Sequence, residues 1–118
     1  MMDSGIEVIV GMVRDEQFGP MISFGMGGVL VNLIEDVSFK LAKGLSSEEI
    51  DEQINETKVS KLLKGYRGEA PGDIDEVKNT IKRVAKLTLD FDDISELDIN
   101  PVFVYEEGSS ALDIKIKL

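Results

Sequence analysis

Residues 96–118, with the sequence ELDINPVFVYEEGSSALDIKIKL, contain two β-rich runs on either side of a glycine turn. Runs of this kind, in which side chains alternate between two faces, predict an antiparallel hairpin. A four-residue turn pairs Tyr105 with Ser110 and sets Val104 opposite Ala111. This register gives one almost wholly apolar face, which is expected to meet helices, and one polar face.

The polar face of the predicted hairpin brings three oxygen-bearing side chains together. Asp98, Asn100 and Asp113 share it, with Asp113 diagonal to Asn100 at about 7–8 Å. Two carboxylates and an amide oxygen suit Mg²⁺, with water and phosphate oxygens completing the shell. Lys115 on the same face would balance charge or contact an anion. A merely solvated face is the alternative, and a one-residue error in register would disperse the cluster.

Upstream of the hairpin, cap signals mark the helices. Ser46 and Glu49 form a capping box, and the apolar stripe that follows them ends at Gly65. A longer helix is predicted from Asp73 to about Leu89, because apolar residues recur along it at helical spacing. Both helical segments lie between the C-terminal hairpin and the first third of the chain.

The first third of the chain is typical of strands. Residues 6–24 predict a second hairpin around a Gly-Pro turn, 29–33 predict a further strand, and 34–44 are expected to be mostly loop. The glycines of 25–28 lack the lysine and hydroxyl residue of a phosphate loop, so tight turning is favoured. The order of strands, helices and strands predicts an α+β fold, an antiparallel sheet with helices on one face.

Composition excludes several classes of protein. The 118 residues suit a single domain, and 23 acidic against 13 basic residues give a net charge of −10. This charge argues against binding to nucleic acid or to an anionic membrane. The absence of Cys and His excludes disulfides, thiol nucleophiles and Cys/His zinc sites. No signal peptide or membrane-length apolar run is evident, so a cytoplasmic location is expected.

Several segments resemble one protein family. Residues 96–101, followed by 111–113, are similar to the end of the ATP-grasp domain in ADP-forming (NDP-forming) acyl-CoA synthetases. Acetate–CoA ligase β subunits are the nearest examples, and succinyl-CoA synthetase β is a more distant relative. Similar segments extend the resemblance over the whole chain: 5–11, 18–20, 24–28, 36–39 and 65–68.

The resemblance implies a fold, a reaction and partners. Residues 1–118 would form the C-terminal ATP-grasp subdomain, a single domain and half of the module that clamps MgATP. An N-terminal subdomain and a CoA-binding α subunit or domain would complete the enzyme, so a homo- or hetero-oligomer is expected. The family converts an acid, CoA and ATP into acyl-CoA, ADP and phosphate through a phosphohistidine relay. Its histidines would have to lie on other segments or partners.

The resemblance also assigns roles to individual residues. Asn100 and Asp113 match Mg²⁺ ligands, and Asp98 matches an acidic position beside them, so Mg²⁺ and ATP are the expected cofactors. Glu7 matches an acidic position on the first strand and is taken as a nucleotide-binding residue, with a solvated strand residue as the equal alternative. Asn32 stands where many relatives have glutamate. This departure keeps open a second hypothesis, a catalytically silent interaction module.

Overall fold

The computed structural model describes residues 5–27, 36–65, 71–111 and 113–118. Within these ranges the elements, in chain order, are β1 (Ile6–Asp15), β2 (Gly19–Met26), β3 (Val37–Leu41), α1 (Ser47–Asn55), α2 (Val59–Leu63), α3 (Ile74–Asp90), β4 (Glu96–Val104), β5 (Ser109–Ala111) and β6 (Ile114–Lys117). The strand predicted at 29–33 and most of the loop predicted after Gly65 lie outside the described residues.

The N-terminal hairpin forms as predicted. β1 and β2 pair in antiparallel fashion along almost their whole length. The Asp15 carboxylate accepts hydrogen bonds from the backbone N–H groups of Gln17 and Phe18, both at 2.8 Å. Gly19, the first residue of β2 and the partner of Asp15, follows this turn with a φ of +79°, a conformation that glycine adopts without steric cost. Local side-chain and glycine chemistry therefore fix this turn.

Residues 34–44 were predicted to be mostly loop, and this was wrong for 37–41, which form β3. The strand pairs with β2, but its inward positions are polar, so the sequence lacks the apolar alternation of a half-buried strand. The Ser38 hydroxyl donates to the Gln53 carbonyl oxygen at 2.7 Å, and the Lys40 ammonium lies 3.3 Å from the Glu52 carboxylate. The hydrogen bond to Glu52 is the main cause that raises the pKa of Lys40, and the Glu56 carboxylate, 3.6 Å away just after α1, raises it further.

The two long helices begin at their predicted caps. The Ser46 hydroxyl accepts a hydrogen bond from the Glu49 N–H at 3.2 Å, and the Glu49 carboxylate accepts one from the Ser46 N–H at 3.2 Å. The Asp73 carboxylate accepts from the Glu76 N–H at 3.2 Å with one oxygen, and from the Gly108 N–H at 2.8 Å with the other. Both helix starts are confirmed, and the second is tied to the turn after β4.

The short helix α2 is anchored by a buried carboxylate. Asp36 is only 6% exposed, and its two oxygens accept hydrogen bonds from the N–H groups of Lys58 at 2.6 Å and Val59 at 3.0 Å. These charge-assisted bonds satisfy N–H groups that a helix start leaves unpaired. The segment stops before Gly65, whose φ of +86° confirms the predicted helix end.

The strands form one sheet with its helices on one face. The strand order is β3-β2-β1-β4-β5, with β6 also paired to β4, and all neighbours are antiparallel. α3 packs on β1 and β2, and α1 packs on β3. The predicted α+β fold is confirmed. The largest fully buried side chains of the core are Phe24, Met12, Ile22, Ile50, Leu63 and Ile81. Within the described ranges no helix is long and apolar enough to cross a membrane.

Candidate metal site on the open sheet face

The face of the sheet turned away from the helices carries the predicted site residues. On β1 the buried residues Val8, Val10 and Met12 point toward the helices. Because side chains alternate along a strand, Glu7 and Gly11 belong to the opposite, open face. The residues that pair with them directly on β2 and β4 share this face. We call it the open face.

Asp98 stands on the open face beside Gly11. It pairs with Gly11 on one side and Lys115 on the other. A β-carbon at Gly11 would lie 3.6 Å from a carboxylate oxygen of Asp98, and 2.9 Å from both the Ser23 hydroxyl and the Leu97 carbonyl oxygen. Glycine at position 11 therefore lets the Ser23 hydroxyl and the Leu97 carbonyl oxygen approach the β1 backbone beside Asp98, where a larger residue would collide with them.

Asn100 and Asp113 face each other across the C-terminal hairpin. The backbone N–H of Asn100 donates to the carbonyl oxygen of Asp113 at 3.1 Å. The sequence-based register was wrong by two residues, since Val104 pairs with Ser109 and not with Ala111. A slip of two residues keeps every side chain on its face, because the side-chain period of a strand is two. The structure thus sets Asn100 directly opposite Asp113, where a diagonal arrangement was expected.

A kink in β4 changes the faces beyond Asn100. Val8 pairs with Val102 but Val10 pairs with Ile99, so Asn100 and Pro101 together lie beside one residue of β1. This two-against-one arrangement is a β-bulge, and the Asn100–Pro101 peptide bond within it is cis.

Because of the kink, the residues of β4 after Asn100 lie on the opposite sheet faces from those predicted. Val102 and Val104 are buried against the helices, although they were predicted on the polar face. Phe103, predicted on the helix-facing side, pairs with Glu7 on the open face. Residue 112, also predicted to face the helices, lies outside the described residues.

Glu7 is on the open face but is not next to Asn100. It is half-buried and pairs with Phe103, three residues beyond Asn100 along β4. Ile9 occupies the open-face position of β1 between Glu7 and Gly11. The structure therefore groups Asp98, Asn100 and Asp113 by strand pairing, and it places Glu7 on the same face but separated from Gly11 by Ile9.

The donor set at Asp98, Asn100 and Asp113 fits a hard cation. All three side chains offer oxygen, which Mg²⁺ prefers, and Mg²⁺ binds through one or two carboxylates plus waters and phosphate oxygens. No three Asp or Glu side chains come together within the described residues. A Mg²⁺ ion at this position would therefore need the Asn100 amide oxygen and oxygens from water or a ligand.

Sequence reasoning missed the contribution of Gly11 and misread Gly25, while Gly28 lies outside the described residues. An isolated glycine inside a strand pattern signals close backbone approach, and this signal was available at Gly11. Gly25 and Gly27 also allow close packing: a β-carbon at Gly25 would collide with the carbonyl oxygen of Asp36, and one at Gly27 would lie 2.9 Å from the Val8 backbone. Gly25 lies within β2, so its role is strand packing, where a turn was predicted.

Known proteins are similar to this chain in sequence and in fold. A family model described as an ATP-grasp domain matches residues 1–118. Acetate–CoA ligase (ADP-forming) I of Archaeoglobus fulgidus is 48% identical over 118 residues, which are 100% of this chain and 17% of that protein. The β subunit of acetate–CoA ligase (ADP-forming) I of Pyrococcus furiosus is 44% identical over 118 residues, 100% of this chain and 50% of that subunit.

A solved structure agrees with these relatives. The dinucleotide forming acetyl-coenzyme A synthetase 1 of Ca. Korarchaeum cryptofilum, in complex with coenzyme A and Mg-AMPPCP, superimposes with a TM-score of 0.93 at 42% identity. The match covers 100% of this chain and 55% of that one. The fold, the family model and these relatives thus define an α+β domain of the ATP-grasp class. The chain belongs to the ATP-grasp family, and these relatives are ADP-forming acetate–CoA ligases or an acetyl-CoA synthetase.

Proposed function

We propose that this chain is the C-terminal subdomain of an ATP-grasp module in an ADP-forming acyl-CoA ligase, and that it supplies Mg²⁺ ligands for phosphoryl transfer. The observation that carries the proposal is the pairing of Asn100 with Asp113, two residues from Asp98, on a sheet face that the helices leave open. A solved relative in complex with Mg-AMPPCP supports a role in binding a magnesium nucleotide.

Each residue has a distinct part in the proposal. Asn100 and Asp113 hold the cation, and Asp98 adds a carboxylate beside them. Glu7 contacts the nucleotide from the same face of β1, beyond Ile9. When bound, Mg²⁺ neutralises charge on the transferring phosphoryl group and orients its oxygens. The side chains of this chain contribute position and charge; no histidine is present to accept a phosphoryl group.

The proposed partners follow from the length of the relatives. The chain spans about half of the Pyrococcus subunit and 17% of the Archaeoglobus protein. We propose that an N-terminal ATP-grasp subdomain closes over the open face and that a CoA-binding subunit or domain completes the assembly. Acetate or another small acid, CoA and ATP would be the substrates.

The 118 residues alone are expected neither to hydrolyse ATP nor to form acyl-CoA. They contain no histidine and offer three candidate metal ligands on an open face, so the remaining ligands must come from elsewhere. Mg²⁺ binding should be millimolar or weaker, which corresponds to about 4 kcal/mol. Steady-state assays with acetate, CoA and MgATP, together with calorimetric Mg²⁺ titration, check both statements. Turnover above a buffer blank would contradict the expected lack of activity. Micromolar Mg²⁺ affinity would contradict the expected weak binding.

A chimera tests the proposal itself. In it, this chain replaces the segment that it matches in the Pyrococcus furiosus β subunit, and the complete ligase is assembled from that subunit. Acetate-dependent conversion of ATP and CoA is expected, because the sheet and its polar residues are retained. A folded, assembled but inactive chimera would refute the catalytic role and favour the silent interaction module.

A further inference from the structure

The outer edge of the hairpin is an unpaired strand with exposed aliphatic side chains. β6 pairs with β4 on one side, and within the described ranges no strand pairs with its other side. All four residues of β6 are exposed, and Ile114 and Ile116 are 55% and 51% exposed. An edge strand of this kind is a template for another strand.

The free hydrogen-bonding groups of this edge belong to Ile114 and Ile116. Asn100 donates its N–H to the directly opposite residue Asp113, which marks this pair as hydrogen-bonded. Hydrogen-bonded and non-hydrogen-bonded pairs alternate in an antiparallel ladder. Lys115 and Lys117 therefore direct their backbone groups toward β4. Ile114 and Ile116 direct theirs away from it, toward the free edge.

The side chains of the same two isoleucines line a groove. They lie opposite Ile99 and Leu97, which are buried beneath the helices. The groove runs between the hairpin and α3 and encloses about 440 Å³. Its lining is largely aliphatic, with the polar residues at Glu76, Thr80, Arg83 and Ser109. This groove is on the helix side of the sheet, away from the candidate metal site.

The two lysines on the open face of β6 indicate which kind of strand could pair with its free edge. Lys115 lies opposite Asp98, and Lys117 lies opposite Glu96. No ion pair within the described ranges involves either lysine. Antiparallel pairing of β6 with a second copy of itself would bring these lysines together on one face, and like charges directly opposite are destabilising. A strand with acidic residues at these positions would instead extend a ladder of alternating charge.

We infer that the free edge of β6 binds an extended strand of another polypeptide, in which aliphatic and acidic residues alternate. The strand adds to the sheet through the backbone groups of Ile114 and Ile116, in the manner of β-augmentation. Its aliphatic side chains enter the groove beside α3, and its acidic side chains face Lys115 and Lys117. The groove lies on the face opposite the proposed nucleotide face, whereas Lys115 and Lys117 stand on the open face at its outer edge.

A peptide titration tests this inference on the 118-residue chain. The probe is a short blocked peptide in which valine alternates with glutamate, and the matched control has lysine in place of glutamate. The glutamate peptide is expected to shift the backbone amide NMR signals of Ile114 and Ile116, and to bind at least about tenfold more tightly than the control, a 1.4 kcal/mol preference. Equal affinities, or shifts confined to the β3 edge, would overturn the inference.

Reversing the charge of the two β6 lysines provides a second test of the inference. The double variant Lys115→Glu, Lys117→Glu is expected to lose about tenfold in affinity for the glutamate peptide and to prefer the lysine peptide. The control variant Lys43→Glu, Lys61→Glu makes the same change in net charge at exposed positions elsewhere and should bind as the parent does. Unchanged binding by the first variant would overturn the inference. So would a peptide-free dimer whose interface contains β6.

Discussion

Alanine in place of Asp113 or Asn100 should lower ATP-dependent CoA ligation by the chimeric ligase about a hundredfold or more. Each change removes an oxygen ligand from a cation that neutralises developing charge on the phosphoryl group. A hundredfold loss corresponds to about 2.7 kcal/mol of transition-state stabilisation. Ligation rates measured at saturating ATP and several Mg²⁺ concentrations check this loss of activity. If the substitution weakens Mg²⁺ binding, a high Mg²⁺ concentration should partly restore the rate.

The fold should survive these substitutions. Asp113 is exposed, and its main-chain carbonyl oxygen makes the bond to Asn100. Asp93→Ala is the matched control, because this exposed carboxylate lies in the turn before β4. The melting temperatures of all three variants should stay close to that of the parent. Near-normal ligation by Asp113→Ala would remove this residue from the proposed site.

Phe24→Ala is expected to destabilise the chain by about 3–5 kcal/mol. The Phe24 side chain is 0% exposed in the core between the sheet and the helices, so its truncation leaves a cavity. Domains of this size are stable by only about 5–15 kcal/mol. The variant should therefore unfold at much lower denaturant concentration, as measured by circular dichroism during urea titration.

Phe39→Ala provides a control of the same residue type on the neighbouring strand. Phe39 is 51% exposed and pairs with Ser23 on the open face. Its truncation should cost less than about 1 kcal/mol, because much of the ring already contacts solvent. Similar losses in the two variants would show that the two faces of the sheet are assigned incorrectly.

The parts of the fold that were predicted correctly depend on local chemistry. The caps at Ser46 and Asp73 use side chains within three residues of the N–H groups that they satisfy. Gly19 and Gly65 mark a turn and a helix end through left-handed backbone conformations. Such signals lie within a few residues of each other, so the sequence alone can reveal them.

The missed features depend on partners that are distant in sequence. β3 escaped detection because its inward side chains, Ser38 and Lys40, find polar partners on α1. The predicted hairpin register was wrong because the turn is two residues shorter than expected. The Tyr105 N–H donates to the Gly108 carbonyl oxygen at 3.0 Å. Pro101 offered a clue to the kink, since proline within a strand is confined to edges and bulges.

The candidate site was only partly predictable for the same reason. The sequence placed Asp98, Asn100 and Asp113 on one face, and an even-numbered register error left that grouping intact. It could not reveal which residue of β1 lies beside Asp98, because that depends on the β1–β4 register. Gly11 occupies that position, and its close approach to the Ser23 hydroxyl and the Leu97 carbonyl oxygen exists only in the folded sheet.

The double role of Asp73 constrains how this chain can vary. One carboxylate oxygen caps α3, the other accepts from the Gly108 N–H, and the Asp73 N–H donates to the Tyr105 carbonyl oxygen at 2.7 Å. Side chains at 106 and 107 point into solvent and are free to change. An inserted residue would break the hydrogen bonds that join this turn to Asp73 at the start of α3. The length of this loop is thus dictated by a residue 35 positions away, and a family built on this fold should tolerate new residue types there far more readily than insertions.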